Sequence, residues 1–424
     1  MDIKGKKLLI LGGNALSCDI VNAAKRLGVY TIVTDWYDTE RSPAKLIADE
    51  YWNEEVFRPD RLAQLVKEHG IDGALTGFSD SYLFPYQELC ELANLPCYGT
   101  KEQFDWTTDK ASFKRKCREY GVPIVPEYDI NKFDKSIINK NHKIIIKPVD
   151  NSGSRGICIC GSPDDFDQKL KYSLDFSEKK QVVIERYMDC DDVSFEYKIQ
   201  DGEVTLSSIC DRFIYKTPNE GSITSGLIYP SKYVNVYMAD VDKRVRKMFE
   251  SEGLRNGVLF MQAFAKDDQF FFYEMGYRLS GGRHYIFTKN QNGDSAVEEL
   301  VNFAVTGKMS DDRLSSISTP TFKDICSQLS VICRTDTIAS VIGWDSVAKI
   351  PQVIDATPML KEGQTVGKQG TTASIFARLH IVAEDLGELR DILSLIKKTL
   401  KVNDRNGQNM IVDFFEIPSQ CDKL

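Results

Sequence analysis

No stretch of the chain approaches the roughly 20 consecutive apolar residues of a membrane-spanning helix, so a membrane protein is not expected. Lys4, Lys6 and Lys7 precede Leu8–Leu11 in the manner of a signal peptide, but the apolar run is too short and passes straight into Gly12-Gly13-Asn14. None of the 11 cysteines forms a Cys-x-x-Cys pair, and reduced thiols in a cytoplasmic protein are the economical reading. Basic charge is not in excess: 54 Lys and Arg stand against 62 Asp and Glu, for a net charge of −8. A chain so balanced lacks the basic face that nucleic acid demands of a main partner. The Gly-x-x-x-x-Gly-Lys-Ser/Thr spacing of a P-loop is missing. So is the dinucleotide fingerprint, because the positions after the first strand that would need glycine hold Asn14 and Ser17. There is no internal repeat and no low-complexity tract.

What remains is ordinary globular composition, 42% hydrophobic and 27% charged, in 424 residues. That is too long for one hydrophobic core, so two to four domains or subdomains are expected. Residues 7–128 alternate strand and helix: strands at 7–11, 30–34 and 73–76, helices at 18–27 and 61–69. This order predicts a parallel, right-handed, Rossmann-like sheet. A basic helix follows over 108–120, with Lys114, Arg115, Lys116 and Arg118 expected on a solvated face and Lys110 set apart. From about 124 to 310 the pattern is strand-rich α+β, residues 310–321 read as a linker, and a third region carries strands at 329–333 and 374–382 with a helix at 388–400.

Residues 143–156, Lys-Ile-Ile-Ile-Lys-Pro-Val-Asp-Asn-Ser-Gly-Ser-Arg-Gly, carry the most information. Three β-branched isoleucines make a buried strand that delivers Lys147 and stops at Pro148. The polar loop with Gly153 and Gly156 can turn backbone N–H groups toward an anion. A cation at a strand end beside such a loop suits a polyphosphate; a plain hairpin with a surface lysine fits the same residues.

Two acidic elements lie downstream. Residues 181–196 read as strand, bend and strand, with Glu185 closing the first strand and Asp191 and Asp192 opening the second. A bend between strands offers backbone groups to a flat base, and a carboxylate beyond it to ribose hydroxyls; a charged hairpin tip is the alternative. Residues 257–278 read as a hairpin turning between Asp267 and Asp268, which sets Gln262 nearly opposite Glu274. Two oxygen donors completed by phosphate and water are how Mg²⁺ is commonly held. An ion pair between Glu274 and Arg278 is the structural alternative.

Lys110, the Ile-Lys147-Pro strand with its Gly/Ser loop, the Glu185-Arg186-Tyr187-Met188 hinge, Asp192, and Gln262 with Glu274 occur in the order seen in ATP-grasp enzymes. The chain resembles the branch containing biotin carboxylase, carbamoyl phosphate synthetase large-subunit halves and the purine-pathway glycinamide and aminoimidazole ligases, over nearly its whole length. The resemblance implies a Rossmann-like pre-ATP-grasp domain (1–105) and an α+β, two-part ATP-grasp clamp (106–310) with a mobile lid near 124–190. A small C-terminal α+β subdomain (311–424) completes it. It further implies that Lys110 and Lys147 bind ATP phosphates, and that Ser152, Gly153, Ser154 and Gly156 belong to a loop closing over them. Glu185 would meet the adenine amino group, the Arg186, Tyr187 and Met188 hinge the ring edge, and Asp192 the ribose. Gln262 and Glu274 would ligate Mg²⁺, with Mn²⁺ as a substitute, and Arg278 and Arg334 would serve catalysis.

One position departs from the family pattern. Asparagine is usual two residues after the last metal glutamate, and Gly276 stands there, which puts a second metal ion in question. Ser280-Gly281-Gly282-Arg283-His284 could shape the acceptor pocket, with His284 either catalytic or packed away. The segment 212–226, with Arg212, Lys216 and several hydroxyls, suits an anionic substrate. The resemblance implies an ATP-dependent carboxylate–amine ligase working through an acyl phosphate on small-molecule carboxylate and amine substrates, as a monomer or homodimer. Bicarbonate activation and a nucleotide-binding regulatory protein without catalysis are the alternatives.

Overall fold

The computed structural model describes residues 2–149, 156–217 and 221–417. Strands Lys7–Leu11, Tyr30–Thr34 and Gly73–Thr76 form where the hydrophobic runs place them, and a short strand, Glu50–Trp52, joins them. All pair in parallel, with Lys7–Leu11 between Tyr30–Thr34 and Gly73–Thr76. Helices such as Ser17–Arg26 and Pro59–His69 cover it, giving the expected Rossmann-like unit.

The basic helix expected over 108–120 forms as Lys110–Glu119, set off from a preceding helix. Lys101–Thr108 ends and Lys110–Glu119 begins at Asp109, whose backbone is extended (φ −84°, ψ 115°) and whose side chain accepts from the Ser112 N–H at 2.7 Å. A capping aspartate satisfies an N–H that a continuous helix would not leave free. The solvated-face reading fails at Lys114, which is only 4% exposed.

A nine-stranded, mainly antiparallel sheet forms the body of the molecule. Its path runs from Gln269–Gly276 through Gly257–Lys266, Asp191–Gln200, Glu203–Thr217 and Gly221–Tyr229 to Ile325–Cys333, Ile375–Ala383 and Val353–Pro358, with Ile411–Asp413 pairing off this path on Ile325–Cys333. Gly221–Tyr229 pairs directly with Ile325–Cys333, so the sheet crosses the expected boundary near 310 without a break. A separate four-stranded sheet (Glu127–Tyr128, Val182–Arg186, Ile144–Pro148, Cys158–Cys160) has its own small core, including Ile144, Ile146, Phe166 and Ile184. Among the described residues, no helix is long and apolar enough to cross a membrane, and all ten described cysteines are unpaired.

Candidate active site

The hairpin at one edge of the large sheet supplies two oxygen donors. Asp267 and Asp268 have φ of 50° and 60°, the left-handed pair of a two-residue turn whose twist matches its strands. That turn fixes the register from Lys266 opposite Gln269 as far as Ala263 opposite Phe272, which carried one pair further would set Gln262 against Tyr273. The register then slips, pairing Gln262 with Glu274 and leaving Tyr273 as an extra residue. A bulge of this kind re-aims a side chain, and Tyr273 joins Glu274 in lining the cleft.

The Tyr273 hydroxyl lies 3.1 Å from Gln262 Oε1 and 3.0 Å from Asp192 Oδ1. Arg212 donates to Asp192 at 2.8 Å, to the Tyr273 oxygen at 2.7 Å and to Thr224 at 3.2 Å. Burial raises the Asp192 carboxyl above its usual range, and the nearby Glu274 charge adds to this against the pull of Arg212. Tyr273 was not singled out in the sequence, because strict strand alternation would turn it away from Glu274.

The small sheet forms a second wall. Alternation sends Ile144 and Ile146 into its core and turns Ile145 and Lys147 to the cleft. Ile145 pairs with Glu185 and Lys147 with Val183, so Lys147 and Glu185 are diagonal neighbours on one face. Lys147 Nζ donates to Glu185 Oε2 at 2.5 Å, and Lys114 Nζ donates to the other oxygen. Burial pushes the Glu185 carboxyl up, but Lys147 and Lys114 together outweigh it and hold it below the usual range. The carboxylate expected at the adenine edge is thus shared by two lysines.

Between these walls lies a cleft of about 1660 Å³, larger than the roughly 300–1,000 Å³ of common ligand sites. Lys110, Lys147, Gly156, Tyr187, Met188, Asp192, Gln262 and Glu274 all line it. Glu185 lies behind Lys147, and Arg186 is exposed, with its N–H bound to the Pro126 carbonyl at 2.9 Å. Ser152, Gly153 and Ser154 fall outside the described residues. Among the described residues, no three His, Cys, Asp or Glu side chains group as a self-sufficient metal site. Gln262 and Glu274 fit a hard cation whose remaining ligands come from phosphate and water.

Neither arginine expected in catalysis lines the cleft. Arg278 does not pair with Glu274. It forms a two-pronged contact with Asp80 of the N-terminal unit, 2.6 Å on each arm, and lies 5.0 Å above the Phe260 ring. Arg334 pairs with Asp336 at 2.8 Å and with Asp404. His284 is buried beside Glu196, 3.4 Å away, and burial depresses its pKa to about 3, which fits packing rather than proton transfer.

No family model matches the chain. A formate-dependent phosphoribosylglycinamide formyltransferase of Sulfurisphaera tokodaii is 26% identical over 201 residues, 44% of this chain and 48% of that protein. The chain spans between 24% and 48% of the length of the first curated relatives it matches. Among solved structures, an L-amino acid ligase from Bacillus licheniformis superposes with a TM-score of 0.77 at 16% identity, covering 95% of this chain and all (100%) of that one. Phosphoribosylglycinamide synthetase from Anaerococcus prevotii gives 0.76 at 18% identity, with coverage of 95% and 100%.

Proposed function

The chain has the ATP-grasp fold, and from that premise we propose that it is an ATP-dependent carboxylate–amine ligase. The observation that carries this reading is that Lys110, Lys147, Gln262 and Glu274 all line one cleft, with Lys147 on the small sheet facing Gln262 and Glu274 on the large one. A triphosphate laid across it meets ammonium groups and paired oxygen donors at once. In this reading Tyr187 and Met188, which line the cleft, take the edge of a flat base, and Asp192, held by Arg212 and Tyr273, takes a ribose hydroxyl.

A carboxylate oxygen of the substrate attacks the γ-phosphorus of ATP, the bond to the β–γ bridging oxygen breaks, and ADP leaves. The amine nitrogen then attacks the acyl carbon, the C–O bond to phosphate breaks, and the amine gives up a proton. Lys110 and Lys147 offset charge spreading over the phosphoryl oxygens. Magnesium held by Gln262 and Glu274 would supply further charge neutralisation at those oxygens. The loop ending at Gly156 would keep water from the acyl phosphate. The ten described cysteines, all unpaired, suit a reducing, cytoplasmic setting.

ADP release from Mg-ATP, screened against amino acids, hydroxy acids and bicarbonate, tests the reading. Turnover that needs both a carboxylate and an amine supports it. Turnover that needs bicarbonate alone, or nucleotide binding with no ADP from any combination, overturns it.

A further inference from the structure

Glu185 is 3% exposed, and different lysines take its two carboxylate oxygens. Lys147 lines the cleft, whereas Lys114 reaches Glu185 from the helix Lys110–Glu119 and does not. Lys114 also donates to Glu127 Oε1 at 2.6 Å, and the other Glu127 oxygen accepts from Arg118. A row of alternating charge therefore runs from the cleft through the buried Glu185 and Lys114 and out to an exposed arginine: Lys147, Glu185, Lys114, Glu127, Arg118. Its cleft end is the ammonium that a triphosphate would claim.

We propose that Lys114 is a positioning residue for nucleotide binding, the standing counter-ion that keeps Glu185 ionised when Lys147 turns to a phosphate. The proposal rests on the nucleotide reading of the cleft. Glu185 is too buried to be solvated alone, so on losing Lys147 it must keep another cation or take up a proton. With Lys114 in place the first happens, and Lys147 leaves as a full cation at little cost. The groups facing Glu185 are Lys147 and Glu127 from the adjoining strands and Lys114, with Arg118 behind Glu127, from the helix. Of these, Lys114 is the cation that the ligand does not displace.

The test is calorimetric titration of Mg-ADP into the full chain at pH 7.5 and 8.5, in two buffers of different ionisation enthalpy. The wild type is expected to bind without net proton uptake and with little change in Kd between the two pH values. Lys114→Met is expected to bind with uptake of close to one proton and to weaken by up to about tenfold over that pH unit. Lys114→Arg should restore wild-type behaviour, which loss of packing alone would not predict. Should Lys114→Met fail to fold, Glu185→Gln is compared with the Glu185→Gln/Lys114→Met double variant: equal affinity supports the counter-ion role, and weaker binding by the double variant overturns it. Lys114→Met with the proton count and pH dependence of the wild type also overturns it. A wild type that binds no adenine nucleotide overturns the reading of the cleft itself, and the role of Lys114 with it.

Discussion

Gly276 and Phe260 are partners across the hairpin, and a Cβ added at 276 would stand 2.5 Å from the Phe260 ring. The ring fills the space where the family pattern places asparagine, and Arg278 rests on it. Gly276→Asn should therefore lower stability by about 1–3 kcal/mol, the usual cost of overpacking, read as a fall in Tm. Trimming the ring with Phe260→Ala should make the same asparagine substitution less harmful than it is in the wild type.

Glu196 is wholly enclosed, and burial raises its pKa to about 8. Its folded value lies above its unfolded one, so the folded state binds the extra proton between about pH 4.5 and 8. Over that window stability falls as pH rises, and the cost is full above pH 8. Glu196→Gln should remove this dependence. Tm measured from pH 5 to 9 should flatten, with the largest gain over wild type at the alkaline end.

Lys198 is fully buried, 3.0 Å from Glu299 and in contact with Asp294. Removing the cation strands two buried acids. Lys198→Met should cost about 3–5 kcal/mol in denaturant unfolding; a Lys198→Met/Glu299→Gln pair should recover part of it.

The parts legible in the sequence are those set by local pattern. Strand periodicity located Lys7–Leu11, Tyr30–Thr34 and Gly73–Thr76, and the turn at Asp267–Asp268 brought Gln262 to within one residue of Glu274, the bulge at Tyr273 completing the pairing. What the sequence concealed depends on contacts between distant segments. Nothing in the spacing of Lys114 reveals that Glu185, 71 residues away, awaits it, so every basic residue of the helix but Lys110 reads as solvated. Arg278 was equally unreadable, because its partner Asp80 is 198 residues distant on another unit. Tyr273 was hidden by a bulge that breaks the alternation on which strand reading depends.

The central claim, that Lys147 and Glu274 grip one triphosphate from opposite walls, is tested most directly by a double-mutant cycle on Mg-ATP affinity. Lys147→Ala and Glu274→Ala should each weaken Kd by about tenfold or more. The double variant should lose less than the sum, since each contact helps position the phosphates for the other. A Kd unchanged by either substitution, in protein that remains folded, would contradict the account.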